Sequence, residues 1–241
     1  MKSHCIPFVL ALMAVSSLLA PGILPLAGTT DPAIQNGTAY LRVRQNADGS
    51  FGADGLAARD TAAAAEALAS FEPTAGSTSQ ALLWLKSHEL EGTDPLARAV
   101  EALNSGGQLQ ADLVARLESY LAEAATGLGS FSGQQPDVFD TSLAVRALSR
   151  VPGNDPGALA YAVGFLKNSQ NSDGGWAYAQ GAPSDLFVTA ILTQALAGVR
   201  NSYDVSAALS SALAFLSASV QSNGSVQDSP LLTAETIRAF A

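Results

Sequence analysis

The hydrophobic and polar positions of residues 31–241 repeat in pairs of helical segments. An Ala/Leu-rich stretch opening on threonine recurs as Thr61-Ala-Ala-Ala-Ala-Glu-Ala-Leu68, Thr141-Ser-Leu-Ala-Val-Arg-Ala-Leu148, Thr189-Ala-Ile-Leu-Thr-Gln-Ala-Leu196 and Thr233-Ala-Glu-Thr-Ile-Arg-Ala-Phe240. A weaker copy is Leu96-Ala-Arg-Ala-Val-Glu-Ala-Leu103. The copies begin 35, 45, 48 and 44 residues apart, the size of a two-helix unit. The partner helix of each unit carries an aromatic–leucine pair near its end: Tyr40-Leu41, Trp84-Leu85, Tyr120-Leu121, Phe165-Leu166 and Phe215-Leu216. Such a pair suits an outer helix pressed against two neighbours. The turns that follow are glycine-rich, at Gly49, Gly129, Gly174-Gly175 and Gly224, where glycine permits a left-handed helix end. The pattern predicts five helical hairpins and no substantial sheet. The aromatic-bearing helices face out and the threonine-start helices face in. The segments between each turn and the next helix vary in length, and variable loops on one side of a repeat array often form its binding face.

Composition agrees with a packed array. Hydrophobic residues make up 48% of the 241 positions and charged residues 14%, which excludes a disordered chain. Aromatics are only 7%, so alanine and leucine must build most of the core, and small side chains let helices approach closely. The degenerate second unit near Gly106-Gly107 resumes in register, so no domain boundary is placed there.

Residues 1–27 read as an export signal. Lys2 supplies the positive start, an apolar run follows from Ile6 to Ala20, and Pro21, Gly22 and Pro25 break it ahead of a small residue for cleavage at Ala27. A membrane anchor is the alternative, but the run is short for a span and rich in helix breakers. Residues 28–241 then form a single repeat domain with no cysteine and one histidine, His88, so no disulfide framework is available. The last hairpin reaches Ala241 soon after its threonine-start motif, which leaves room for a sixth hairpin or a further domain. The net charge of −9 becomes about −10 without Lys2 and argues against nucleic-acid partners and anionic lipid surfaces.

Two turns share a fuller motif, Gln-x-x-x-Gly-x-aromatic: Gln45-Asn-Ala-Asp-Gly-Ser-Phe51 and Gln170-Asn-Ser-Asp-Gly-Gly-Trp176. Such turns between paired helices resemble the repeats of squalene and hopene cyclases, and through them the α/α-toroid superfamily. Protein prenyltransferases, complement thioester domains and cobalamin carriers share that fold. The resemblance covers roughly residues 31–241. It implies an all-α toroid, a partial or complete ring of about five hairpins whose second helices surround a cavity. It also implies structural roles for the turn residues. Gln45 and Gln170 resemble the glutamine that ties one repeat's turn to the next helix end, and Trp176, like Phe51, matches the aromatic stacked between repeats around Gly49 and Gly174.

Pro136-Asp137-Val138-Phe139-Asp140-Thr141 resembles the Asp-x-Asp-Asp-Thr motif with which squalene–hopene cyclases protonate an alkene. The proton donor of that motif is its middle acid, supported by neighbouring carboxylates. Here Phe139 occupies the donor position, while Asp137 and Asp140 match the supporting acids. The next unit reads Asp185-Leu186-Phe187-Val188-Thr189, with the same Asp and Phe placement, so the phenylalanine belongs to this chain's own pattern. No catalytic residue is therefore assigned.

The candidate ligand-binding residues are Asp137, Phe139, Asp140, Asp185 and Phe187. Asp60 and Asp140 immediately precede a threonine and read first as helix N-caps. Asp137 and Asp185 lie a turn further out and are freer to face a ligand. Phe139 and Phe187 either line an apolar lumen or pack beneath a loop, with packing favoured. Asn46-Ala-Asp48-Gly49 and Asn171-Ser-Asp173-Gly174 faintly resemble the start of a calcium loop, but the downstream acidic ligand is absent and Asx turns explain them better. No metal site is expected. The zinc site of prenyltransferases and the reactive cysteine of thioester domains both need cysteine. A Ser-His-Asp triad would have to use His88, which has no nucleophile signature beside it, and no phosphate-binding glycine loop is present.

The expected function is a secreted, non-catalytic module that binds a small apolar or corrinoid ligand, or an extracellular protein, at the mouth of the helical ring. The alternatives are a cobalamin-carrier-like domain, with cobalamin as ligand rather than cofactor, a divergent terpene cyclase-like enzyme, and an α/α-barrel lyase acting on polysaccharide. The lyase would need a Tyr, Arg and His set on inner helix starts.

Overall fold

The computed structural model describes residues 32–53, 55–120, 137–179 and 181–241. The proposed export segment, the turn at Gly129 and Pro136 lie outside the described residues. Ten helices run through the rest: α1 (Pro32–Arg44), α2 (Ala57–Phe71), α3 (Gly76–Ser87), α4 (Thr93–Ser105), α5 (Ala111–Ser119), α6 (Val138–Leu148), α7 (Pro156–Asn168), α8 (Leu186–Val199), α9 (Ser206–Ala218) and α10 (Pro230–Phe240). Among the described residues, β-structure is limited to two isolated bridges, Trp176 with Asp185 and Val220 with Val226.

The helices form two rows. The even-numbered helices, which carry the threonine motifs, pack on one another in chain order, α2 on α4, α4 on α6, α6 on α8 and α8 on α10. The odd-numbered helices flank them, with α1 and α3 on α2, α5 on α4, α7 on α6 and α9 on α8. Alanine makes the even row tight. Ala65, Ala99, Ala102, Ala144, Ala147 and Ala195 are fully buried beside Leu68, Leu103, Leu148 and Leu196. The core runs unbroken through the Gly106-Gly107 stretch, as the resumed register implies.

Helix starts follow short-range chemistry. Asp155 and Ser229 each cap a helix whose first residue is proline, a position with no amide to satisfy. The aspartates before α6 and α8 correct the capping assignment made from sequence. Asp137 Oδ1 accepts the amide of Asp140 at 2.7 Å, and Asp185 Oδ1 accepts that of Val188 at 2.9 Å. These two are the N-caps. Asp140 lies inside the first turn of α6, and Asp60 inside that of α2, where its carboxylate takes the Arg59 guanidinium at 3.0 Å. The helices begin about one turn earlier than the threonines suggest, because threonine has a different task.

That task is to hold the glycine turn. The Phe51 amide donates to Thr61 Oγ1 at 2.8 Å, and the Trp176 amide donates to Thr189 Oγ1 at 2.9 Å. The Val226 amide does the same to Thr233 Oγ1 at 2.9 Å. The stretch 220–226 is thus a third copy of the turn's backbone, with Val220 in place of the glutamine, Asn223 in place of the aspartate and Val226 in place of the aromatic. The same closing bond recurs in all three, from the amides of Asn46, Asn171 and Gln221 to the carbonyls of Ser50, Gly175 and Ser225. An Asx bond recurs as well, with Asp48, Asp173 and Asn223 accepting the amide two residues on. The Ser50 hydroxyl, then the Ser50 amide, hold the Asp48 carboxyl below the usual range, and the Gly175 amide, then the Ser184 hydroxyl, do so for Asp173.

In the first two copies the turn is covered by the next odd helix. Gln45 Nε2 donates to Gly49 O and Ser77 O, and Gln170 Nε2 donates to Gly174 O and Ala208 O, all at 2.9 Å. Each glutamine thus joins its own turn to the following odd helix. Gly49 and Gly174 have φ of +92° and +89°, and a Cβ on either would lie 2.8 or 2.5 Å from a carbonyl of α3 or α9. Both glycines are needed for conformation and for clearance. Phe51 and Trp176 are buried, and Trp176 Nε1 donates to Leu166 O at 2.7 Å. One anchor differs from expectation: Tyr40 is 60% exposed.

Candidate functional site

The even helices line a concave cavity of about 760 Å³, within the range of small-molecule sites. Three positions of the repeat build its wall. Two residues before each threonine position stand Arg59, Asp94, Phe139, Phe187 and Leu231. Two residues after it stand Ala63, Arg98, Leu143, Ile191 and Glu235. Five residues after it stand Glu66, Glu101, Arg146, Gln194 and Arg238. The offsets correspond to i, i+4 and i+7, one stripe along each helix. The surrounding positions, filled by Ala and Leu, do the packing.

The wall has two characters. Its aromatic side is Phe139, Phe187 and Tyr178, whose rings lie 5.3 Å (Phe139–Tyr178) and 6.1 Å (Phe139–Phe187) apart between centroids. Both phenylalanines are half-buried. They pack against the core behind and line the cavity in front, so the two readings left open by the sequence hold together. Burial, and then the nearby Asp185 charge, push the Tyr178 hydroxyl pKa up.

The other side is charged. Five of the chain's nine arginines line the cavity of a protein that is acidic overall. Glu101 on α4 is 3% exposed. One of its oxygens takes Arg146 Nε at 3.1 Å and Nη2 at 2.7 Å, and the other takes Arg150. Arg150 also reaches Glu66 on α2 at 3.8 Å. Arg98 pairs with Asp94 on its own helix. Gln194 on α8 donates to the Glu235 carboxylate of α10 at 3.0 Å, and Glu235 in turn takes Arg238 at 2.8 Å. Two pairs of neighbouring even helices, α4 with α6 and α8 with α10, are therefore tied along the cavity wall. Burial, reinforced by the Glu101 charge, raises the Glu66 pKa.

Asp137, Asp140 and Asp185 are half-buried and sit at the starts of α6 and α8, beside the aromatic side. They do not line the cavity wall; the two caps are turned into their own helices. Asp140 is pushed up to about 6, mainly by burial, then by the Asp137 and Asp94 charges, with Arg98 opposing. Among the described residues no group of three or more His, Cys, Asp or Glu side chains is placed to hold a metal ion. His88 stacks on Trp84, ring centroids 4.0 Å apart, and faces the Trp84 carbonyl at 2.8 Å.

Sequence reasoning found the aromatic pair and missed the polar ladder. Its signal lay in the aligned repeats, where Glu, Glu, Arg, Gln and Arg occupy a single position amid alanine and leucine. Among the described residues no helix is long and apolar enough to cross a membrane. No family model matches the chain, and no curated protein matches it significantly.

Proposed function

We propose that the chain is an exported, non-catalytic binding module of the α/α-toroid type. It takes a small, largely apolar ligand bearing a polar group into the cavity of the even helices. The observation that carries this reading is the stripe at three fixed repeat positions. A buried ion pair contributes little stability compared with apolar packing. A scaffold built from alanine and leucine has no packing need for Glu101, Arg146, Gln194 and Glu235 at the positions that face a cavity. Opposing them with three aromatic rings makes a surface that solvates one end of a ligand and stacks on the other.

The cyclase-like alternative asks for an acid strong enough to protonate an alkene. Phe139 stands at the donor position, and Asp140 is shifted toward weaker acidity, the wrong direction for that task. Purified protein is expected to yield no cyclised product from squalene. Cyanocobalamin is expected to leave its own absorption spectrum unchanged on mixing, which tests the carrier-like alternative. Anilinonaphthalene sulfonate, an apolar fluorophore with one anionic group, is expected to bind with enhanced emission. Phe139→Ser with Phe187→Ser, or Arg146→Gln alone, should each weaken that binding. Equal binding by both variants would remove the cavity as the site, and any cyclised product would displace the non-catalytic reading.

A further inference from the structure

The cavity wall changes character along two of its helices. On α6 the three stripe positions hold Phe139, Leu143 and Arg146, and Arg150 stands in the same cavity just past the helix end. On α8, the neighbour of α6, they hold Phe187, Ile191 and Gln194. Both helices grade in the same direction, from an aromatic ring through an aliphatic side chain to a hydrogen-bonding head. Seven residues of helix rise about 10 Å, so an apolar track of that length runs from the two rings to Arg146 and Gln194. The same positions of α4 are all charged, Asp94, Arg98 and Glu101.

At the polar end of the track the acceptors are used and donors are left over. Each Glu101 oxygen already receives a guanidinium, Arg146 on one and Arg150 on the other. The two Glu235 oxygens receive Gln194 and Arg238. The Arg150 side chain is half exposed, and among the described residues its guanidinium makes one hydrogen bond, through Nη1 to Glu101. The same Nη1 lies 3.8 Å from Glu66, a contact too long for a hydrogen bond. Burial, then the Glu101 charge, push Glu66 toward its neutral form. A guanidinium is a planar fork of five donors with no acceptor, so the group that completes Arg150 is an acceptor, and a carboxylate takes two of its N–H groups in parallel. Arg150 follows the carbonyl end of α6, which disfavours an anion, so the fork itself must hold the charge.

We propose that the ligand is an amphipathic carboxylate, its apolar body lying along α6 and α8 and its carboxylate received by Arg150 in place of Glu66. This assignment rests on the cavity reading above and adds the charge of the ligand's head, its direction along the track and the residue that selects it. Glu66 is the resident counter-ion of Arg150. It neutralises the guanidinium without a hydrogen bond and yields to a carboxylate of better geometry.

The test is isothermal titration calorimetry of the full chain with octanoate, octan-1-ol and octylammonium, which share an alkyl body and differ in the head. Octanoate is expected to bind about tenfold tighter than octan-1-ol, and octylammonium more weakly than either. Arg150→Gln leaves Glu101 with Arg146, and should lower octanoate affinity about tenfold while octan-1-ol affinity stays unchanged. The alcohol is thus the internal check that the variant keeps its fold. Arg150→Lys keeps the charge without the fork and should recover only part of the loss. Glu66→Gln removes the competing carboxylate and should tighten octanoate binding, an effect that a purely structural Glu66 would not produce. Equal binding of octanoate and octan-1-ol, tightest binding of octylammonium, or octanoate affinity kept in Arg150→Gln would overturn the carboxylate assignment and leave the cavity standing. Weaker or unchanged octanoate binding by Glu66→Gln would overturn the exchange. Octanoate that fails to bind, while the anionic fluorophore binds and is weakened by Phe139→Ser with Phe187→Ser, would sink the assignment alone. A fluorophore indifferent to those substitutions would remove the cavity itself.

Discussion

The turns and the cavity stripe are built from the same repeat, yet they obey different rules. In the turns, chemistry is held constant from copy to copy. A glycine at positive φ, an Asx side chain, a buried apolar residue and a threonine hydroxyl recur at 45–51, 170–176 and 220–226. On the stripe, geometry is held constant and chemistry varies, so one position holds Glu66, Glu101, Arg146, Gln194 and Arg238 in succession. Where residue types persist across copies, they maintain the joint between hairpins. Where only the offset persists, the side chains are free to suit something in the cavity. The recognisable motif therefore marks the scaffold, and the candidate site lies where no motif is visible.

The largest test of this division is Trp176→Ala, expected to destabilise by about 4 kcal/mol through loss of a fully buried indole and the cavity left behind. Thermal melting measures it, and an unchanged melting temperature would show that the turns are not the structural half. Glu101→Ala challenges the division from the other side. It leaves Arg146, mostly buried, without its carboxylate and should cost about 3 kcal/mol in denaturant unfolding. Replacing Glu101, Arg146 and Arg150 together by apolar residues should recover most of that loss while removing the binding of the anionic fluorophore. That outcome would separate support from function on the stripe.

A pair of glycine substitutions refines the turn side. Gly174→Val combines positive φ with a Cβ 2.5 Å from the Ser211 carbonyl, and should cost about 2 to 3 kcal/mol. Gly224→Val meets the same backbone strain in open space and should cost about 1 kcal/mol. Equal losses would mean that the covering helix adds nothing.

The smallest effect concerns Asp140. Its raised folded-state pKa means that the folded chain keeps a proton which the unfolded chain releases between the ordinary value of 3.8 and about 6. Stability therefore falls as pH rises through that window and stays reduced above it. Asp140→Asn should be more stable than the wild type by about 1 kcal/mol at pH 7, after allowance for solvent screening of a half-buried group. The difference should vanish below about pH 4.

The arrangement of helices was legible because the alanine–leucine runs, the aromatic–leucine pairs and the glycine turns are local signals that agree with one another. The inside and outside assignment followed from the same runs. Capping was misread because aspartate stands both immediately before the threonine and three residues further back. Only the backbone course decides which amide each carboxylate meets. The glycine of the third turn was visible, but its kinship with the other two was hidden by Val220 and Val226, which keep the backbone geometry while replacing the glutamine and the aromatic of the motif. The charge ladder escaped notice for a different reason. Glu101 and Arg146 are 45 residues apart, and nothing local announces that they meet.

Because each hairpin packs mainly on its neighbours in the chain, cooperativity passes from unit to unit rather than through one shared centre. Amide protons should then record position along the array as well as depth of burial. The amides of α4, α6 and α8, with an even helix on either side, should exchange slowest. Those of α1 and α10, which have a neighbour on one side only among the described residues, should exchange by end-fraying at far lower cost. A partner that covers either end would slow exchange there first, and protection would spread inward one hairpin at a time.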